Sequence, residues 1–325
     1  ATLSHDACSQ LNHLIILNDA EEAAYFHNVS NRNANVITVS ASGAYSGFIN
    51  YWEQPIFASD CNTIVSKNEK EISTKLIFLF LKSMQEYFYL MQRGQAQPHV
   101  YASDIEKVKI PLPPKQIQEK IIKEISAVEQ KEKVGKEKIE KLKKQIDELF
   151  TSENSKGVTK KLEEVCEMKA GKFKSPSDIL PNNAEGLYPC YGGNGFRGYT
   201  KTYTHIGKYP LVGRQGALCG NVHFVDGQFH ATEHALVVTA LKDINVDWLY
   251  YLLKSMNLNK YATGTAQPGL SVKNINPLPV KVPTLKDQEK LIDKIKKLET
   301  EIKAIEADLA NIDNEKEQIL KKHLE

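Results

Sequence analysis

Gly193-Asn194-Gly195-Phe196-Arg197-Gly198 spells G-x-G-x-x-G, the pattern by which a turn between strand and helix cradles a pyrophosphate. The following Tyr199-Thr200-Lys201-Thr202-Tyr203 alternates like a strand where that motif needs a helix, and no acid stands about twenty residues on. A dinucleotide cofactor is therefore not expected, and the run reads as a glycine-rich turn that lets backbone approach a ligand such as a phosphate. Cys219, His223, His230, Glu233 and His234 supply the residue types of a zinc site. Their counterparts in an internal repeat are Ser46, Asn50, Phe57, Asp60 and Cys61, which could not hold the same ion. No metal is expected, and Asp60 or Glu233 reads as an acid with a structural hydrogen bond in each copy. Gly43-Ala44-Tyr45-Ser46-Gly47 puts Ser one place wrong for a nucleophile elbow, and no Ser-His-Asp, Cys-His or paired-carboxylate frame emerges. The chain is expected not to be an enzyme.

What remains is a set of polar, aromatic and basic residues in turns. In the first copy these are Ser40, Ser42, Tyr45, Tyr51, Trp52, Gln95, Gln97 and His99; in the second they are Arg197, Lys201, Arg214, Gln215, Thr265, Gln267 and Lys273. Arg suits guanine edges, Gln and Asn suit adenine, and Lys, Ser and Tyr suit phosphates, so the mix is compatible with DNA readout. The plainer alternative is that loops are polar as a class.

Two long helices position these turns. From Lys286 onward, Leu291, Ile295, Leu298, Ile302, Ile305, Leu309, Ile312 and Ile319 recur in alternating steps of four and three, broken only by Lys316. That is a coiled-coil seam on a helix of about 60 Å, which needs a partner. Ile121, Ile125, Val128, Ile139, Leu142, Ile146 and Leu149 form a second seam, with Glu132 and Gly135 where apolar residues are due. The seams are in register at an offset of about 170 residues, and the repeat continues upstream. Gly94, Ala96, Gln97 and Pro98 meet Gly264, Ala266, Gln267 and Pro268, and Leu81-Lys82-Ser83-Met84 meets Leu253-Lys254-Ser255-Met256. Gly43-Ala44 and Gly47 meet Gly216-Ala217 and Gly220.

The chain thus reads as globule, helix, globule, helix. Strands are expected over Val36 to Ser40, Gly47 to Tyr51 and Ile56 to Val65, and over Tyr209 to Val212, Asn221 to Val225 and His230 to Thr239. Helices are expected from Thr74 to about Met91 and from Val246 to about Tyr261, with Thr151 to Lys160 as a flexible linker. The counterpart of Leu162-Glu163-Glu164-Val165 would precede residue 1, so the expectation is that either the N-terminus has been trimmed or the first globule is a shortened version, and Ala1 to His13 fit no part of the repeat. The helices are expected to pack antiparallel, with the globules at opposite ends and the helix length setting the gap between them.

With 325 residues the chain holds two ordinary domains plus helices. It shows neither a membrane-length apolar run nor a signal-peptide pattern, and is expected to be soluble and cytoplasmic. Five scattered cysteines without Cys-x-x-Cys support neither disulfides nor a zinc ribbon. The net charge of +2 is almost neutral, yet Gly171 to Gly220 carries Lys172, Lys174, Arg197, Lys201, Lys208 and Arg214 against only Asp178 and Glu185.

Ile37-Thr38-Val39-Ser40, Ser42-Gly43-Ala44, Gly47-Phe48, Tyr51-Trp52 and Ile56-Phe57-Ala58-Ser59-Asp60 carry a resemblance in the first copy. Tyr188-Pro189-Cys190-Tyr191-Gly192-Gly193-Asn194-Gly195, Gly213-Arg214-Gln215-Gly216-Ala217 and Gly264-Thr265-Ala266-Gln267-Pro268 carry it in the second, as does the run from Pro111 to Gln118 before a heptad helix. The order of blocks resembles the specificity (S) subunit of a type I restriction-modification system, over nearly the whole chain; Ala41 stands where that family usually has Arg. The resemblance implies an α+β protein: two small mixed α/β target-recognition domains, at 1–113 and 153–283, separated by spacer helices at 114–152 and 284–325 that form an antiparallel coiled coil. It also implies no catalysis and no cofactor, with double-stranded DNA, two methyltransferase (modification) subunits and restriction subunits as partners, and no membrane. The specificity portion of a single-chain restriction-methylation enzyme and a coiled-coil scaffold without a DNA role are the rival readings.

Overall fold

Short β-branched and aromatic runs punctuated by Gly, Asn and Pro make short strands, and the two seams make long helices. The computed structural model describes residues 14–17, 25–94, 96–216, 218–264 and 268–324; Ala1 to His13 lie outside them. In chain order the first globule contains β1 (Leu14–Leu17), β2 (Tyr25–His27), β3 (Val36–Ser40), β4 (Ile49–Trp52), β5 (Ile56–Ala58) and β6 (Cys61–Ile64). Helices α1 (Thr74–Ser83), α2 (Gln85–Leu90), α3 (Ala102–Ile105) and the long α4 (Lys115–Asn154) follow. The second globule contains β7 (Val158–Lys161), β8 (Cys166–Ala170), β9 (Tyr188–Gly192), β10 (Gly195–Thr200), β11 (His205–Ile206), β12 (Tyr209–Gly213), β13 (Val222–Val225), β14 (Gln228–Ala231) and β15 (Ala235–Ala240). It closes with α5 (Val246–Ser255), α6 (Val272–Ile275) and β16 (Pro279–Val282), before α7 (Leu285–Leu309) and α8 (Ile312–Leu324). Among the described residues no helix is long and apolar enough to cross a membrane.

The chain divides into two compact units, Ala1–Gly135 with Ala307–Glu325, and Lys136–Glu306. In the first, an antiparallel sheet β4-β3-β6 lies beside α1, and a second sheet is ordered β2-β1-β5, with β1 parallel to β5. Ile37, Val39, Ile49, Ile77, Leu81 and Phe88 form one core cluster. In the second unit the matching sheets are β13-β12-β15-β8 and β10-β9-β14-β11, with β9 parallel to β14. The globule helices begin alike, Ser73 accepting from Leu76 N and Asn245 from Trp248 N as side-chain caps.

Each unit also holds half of each long helix, and there the two halves run antiparallel. In the first unit Ile121 and Ile125 are buried with Leu320 and with Leu76, Leu79 and Phe80 of α1. Glu124 pairs with Lys322, and Lys131 with Glu315, so numbers rise along one helix as they fall along the other. In the second unit Lys138 pairs with Glu301, while Glu153, farther along α4, has its carboxyl pKa lowered first by Lys156 and also by the earlier Lys294. The two polar interruptions of the seams find each other: Lys316 Nζ is 2.9 Å from Glu132 Oε2, each about a quarter exposed. Gly135 receives Leu309, whose Cδ2 would lie 2.9 Å from an added Cβ.

Several boundaries differ from expectation. The C-terminal helix is interrupted at Ala310 and Asn311, because the run Asn311-Ile312-Asp313 is better suited to start a helix than to continue one; Asp313 and Glu315 occupy the first turn of α8. The expected linker is ordered: α4 reaches Asn154, whose side chain accepts from Trp248 Nε1, and β7 pairs with β16. The expected strand Ile56 to Val65 is two strands in different sheets, parted at Asp60 with its positive φ of 50°. Likewise β14 and β15 replace the single strand His230 to Thr239. The expected helix Thr74 to Met91 breaks at Met84, where the Gln85 amide turns back to Ile49 N and Gly47 O. The run from Val246 breaks at Asn257, which adopts a left-handed conformation before a 3-10 turn over Leu258–Tyr261.

Replacing Glu132 or Lys316 singly by Leu leaves the other charge on the seam. Each single change is expected to cost about 1–3 kcal/mol, and the double leucine variant to recover most of that loss. Chemical denaturation of the four proteins checks this; a double variant that loses the sum of the singles would show that the two side chains do not interact.

Candidate nucleic-acid interface

Two glycines shape the loop after β3, Gly43 and Gly47 at φ of 83° and 87°, and two shape the loop after β12, Gly216 and Gly220 at 88° and 89°. The second of each pair also permits close approach: a Cβ on Gly47 would stand 2.7 Å from Phe88 O, and one on Gly220 2.4 Å from Asn259 N. The backbone hydrogen bonds around these loops are the same in both units. Gly47 N donates to Ser40 O and Gly220 N to Gly213 O, each at 2.8 Å. Gly43 N bonds Pro98 O at 3.0 Å, and Gly216 N bonds Pro268 O at 2.9 Å. Val100 N reaches Ala41 O at 2.9 Å, and Leu270 N reaches Arg214 O at 2.8 Å. Reciprocal pairs Arg93–His99 and Thr263–Gly269 close the second loop of each platform.

On this frame the side chains differ. In the first unit Tyr45 is half exposed and Gln97 exposed; His99 Nδ1 donates to Gln97 O at 2.8 Å, and its ring stacks with Tyr101. Ser42 is buried, and its hydroxyl donates to Asp60. Ser40 is buried as well. Tyr51 and Trp52 lie at the other end of β4, opposite Ile37 and Val36. There Tyr51 stacks on Phe78 beneath Lys75, and Trp52 Nε1 donates to Thr38 Oγ1 at 2.9 Å. They do not join the loop platform. Gln95, Thr265 and Gln267 lie outside the described residues.

In the second unit three glycine-bearing loops converge on Ala231 to His234. Gly171 allows an approach in which a Cβ would be 2.3 Å from Ala231 O; Gly193 lies against His234 O, and Gly213 against Gly193 O. Arg214 and Gln215 are exposed on this platform, and Gln215 Oε1 meets His234 Nδ1 at 2.9 Å while His234 Nε2 is 3.1 Å from Glu233. Asp60 accepts from Ser42 in the first copy, whereas Glu233 lies beside only its neighbour His234 in the second, with Oε2 buried and unpartnered. Arg197 belongs here too: its Cδ crosses Gly192, where a Cβ would be 2.7 Å away, so a side chain at 192 would displace it. Lys201 follows β10 at the end remote from the Gly193 turn, and Lys273 is exposed on α6 beyond Leu270. The turn Gly193 to Gly195 joins β9 and β10 as a hairpin, with a bulge between Phe196 and Gly198. Sequence reasoning missed Phe173, Phe196 and Leu218, which are 73%, 52% and 48% exposed. Lys172 and Lys174 flank Phe173 and Arg197 follows Phe196 in a basic stretch, but no pattern in the sequence marks the exposure of any of the three.

The titratable groups show structural roles. Burial pushes the Cys166 thiol up to about 12 and Cys61 to about 11, so neither is a ready nucleophile. Among the described residues no group of three His, Cys, Asp or Glu side chains is placed to hold a metal. The His223 ring packs under Gly195, and His230 Nε2 donates to Lys172 O at 3.1 Å.

The family described as "Type I restriction modification DNA specificity domain" (Methylase_S) matches the chain twice, over residues 15–144 and 154–314. The EcoprrI specificity subunit of Escherichia coli is 47% identical over 140 residues, covering 43% of this chain and 35% of that protein, so the chain spans about a third of that relative. The MjaVIII specificity subunit of Methanocaldococcus jannaschii is 24% identical over 346 residues, covering 92% of this chain and 81% of that one. The crystal structure of a type I S subunit from M. genitalium shares the fold with a TM-score of 0.60 at 18% identity, covering 99% of this chain and 91% of that one.

Burial lowers the pKa of His223; burial first, then the charges of Lys172 and His230, lowers that of His205. Both are depressed below the unfolded value near 6.5, so their contribution to stability is complete above that pH and is lost as pH falls toward the folded values. The thermal midpoint is expected to drop between about pH 7.5 and about pH 5.5, and His223→Gln to flatten the drop. Glu124 and Glu153, lowered by their ion pairs, titrate below this window. A midpoint constant across the range would contradict the assignment.

Proposed function

Because the chain belongs to the family of type I restriction-modification DNA specificity domains, we propose that it is the sequence-specific DNA-recognition subunit of such a complex. In this reading it has no catalysis of its own and reads a bipartite site. Residues 1–113 and 153–283 each take one half-site, and 114–152 and 284–325 act as spacers. The observation that carries the reading is the duplicated platform: one backbone hydrogen-bond set built on different residues, Ala41, Tyr45 and His99 in one unit at the places of Arg214, Leu218 and Gly269 in the other, with Tyr45, Arg214 and Leu218 exposed. A constant frame with a variable rim suits two readers of different base sequences. Arg214 and Gln215 are assigned to base edges, and Arg197, Lys201 and Lys273 to phosphates.

The reading includes docking of two methyltransferase subunits, and of restriction subunits in the full complex. Support comes from one groove in each unit where globule helix and coiled coil meet. The first, of about 400 Å³, is lined by Phe78, Lys82, Ile125, Glu129, Lys316 and Leu320. The second, of about 500 Å³, is lined by Tyr250, Lys254, Glu299, Ile146 and Asp147 among others. Equivalent grooves suit two copies of one partner.

Selection of duplexes from a random pool by the chain, alone and with its methyltransferase partner, is expected to return a split site whose binding weakens steeply with salt. Arg214→Ala is expected to relax one position by about 1–3 kcal/mol and leave the other half-site unchanged. Binding that ignores sequence, or methyl transfer by the chain alone, would contradict the reading.

A further inference from the structure

The loop after β8 is fastened on both sides of one aromatic ring. Gly171 N donates to Ala235 O and Lys172 N to Ala231 O, both at 2.9 Å, and Lys172 O accepts from His230 Nε2. On the far side Lys174 Nζ reaches Thr202 Oγ1 at 3.2 Å. Gly171 lets the loop sit this close, since any Cβ there would overlap the Ala231 and Thr232 carbonyls. Between these anchors Phe173 is 73% exposed. A single exposed ring is ordinary on a protein surface; what sets Phe173 apart is that the loop presenting it is held on both sides and lies in a basic stretch beside a second exposed ring. The partner's chemistry follows from the surroundings. Lys172 and Lys174 flank the ring, and the stretch to Gly220 holds six basic residues against two acids. A second half-exposed ring, Phe196, stands beside Arg197 on the hairpin that seats against the same strand segment, bedded on Tyr191 and Tyr199. A hydrophobic membrane or protein surface would satisfy the ring but not the lysines. A polyanion with stackable faces satisfies both.

We propose that Phe173 is a DNA wedge: its ring enters the duplex between neighbouring base pairs at the edge of the second half-site, while Lys172 and Lys174 hold the phosphates on either side. The proposal rests on the DNA-recognition reading above. It adds a shape-dependent element to recognition, because unstacking a base step is cheapest at flexible pyrimidine–purine steps.

The test uses the full chain and the duplex that it selects from a random pool, labelled at both ends so that bending is read by energy transfer. Phe173→Ala is expected to bind about tenfold more weakly and to lose the bend, with an unchanged salt slope, since no charge is removed. Phe173→Trp is expected to keep both affinity and bend, and its added indole fluorescence to be quenched by the duplex. Lys172→Ala with Lys174→Ala is expected to lower the salt slope by about two instead. Because the ring is exposed, the thermal midpoint of Phe173→Ala should match the parent. Equal affinity and equal bend in parent and Phe173→Ala overturn the wedge while leaving DNA recognition standing. Loss of methyltransferase-subunit binding with DNA binding intact also overturns it and assigns the ring to a protein contact. A parent chain that selects no duplex overturns the wider reading and the wedge with it.

Discussion

Each globule is tied to its long helix by one buried glutamine. Gln118 Nε2 donates to Glu71 O at 2.8 Å and to Pro113 O at 2.9 Å; Gln288 Nε2 donates to Pro283 O at 3.0 Å and lies 3.4 Å from Asp243 O. Both side chains are essentially inaccessible to solvent. The carbonyls they satisfy belong to the segment before the globule helix and to the proline before the spacer helix, so a single amide fixes the angle between them. Without it, buried backbone acceptors would be stranded at a cost of about 1–3 kcal/mol each. The apolar stripe of the spacer would also lose the orientation that lays it against α1 or α5. Everything outward of that junction, the sheets and then the loops, inherits its position from it.

The loops keep the atoms that hold the frame apart from those that face solvent. The frame of each platform is made of backbone hydrogen bonds and of glycines in conformations or contacts that other residues tolerate poorly. Buried Ser42 and the chain Gln215–His234–Glu233 support that frame with side chains. The exposed positions between them contribute little to folding, and can change chemistry without disturbing the sheets beneath. Arg197 shows the two layers joined, since Gly192 is left bare so that an arginine can lie across it.

Much of this was legible in the sequence wherever it was periodic. The seams, their shared register and the repeat of Gly43, Gly47 and Pro98 in Gly216, Gly220 and Pro268 all reappear as matched geometry. What escaped was set by tertiary partners. The burial of Ser40 and Ser42 is decided by the sheet, and the place of Tyr51 and Trp52, expected in a turn, is decided by their pairing with β3 at the far end of β4. Thr151 to Lys160 has a linker's composition, yet β16 turns part of it into a strand, with Gly157 allowing the chain to pass within touching distance of Val282. The exposed rings of Phe173 and Phe196 carry no pattern at all, because exposure is decided by how the underlying loop is seated.

The most informative sequence positions were those that broke a pattern. Glu132, Gly135 and Lys316 each stand where a seam calls for an apolar residue. In the folded chain Glu132 meets Lys316, and Gly135 makes room for Leu309. A seam of unbroken Ile and Leu could slide by a heptad with little penalty, since one apolar layer resembles the next. Sliding this one by seven residues would set Glu132 opposite Leu309 and Lys316 opposite Ile125, stranding two charges in apolar surroundings. The misplaced residues therefore select one register and one direction where the two helices meet, a choice that another layer of leucine would not make.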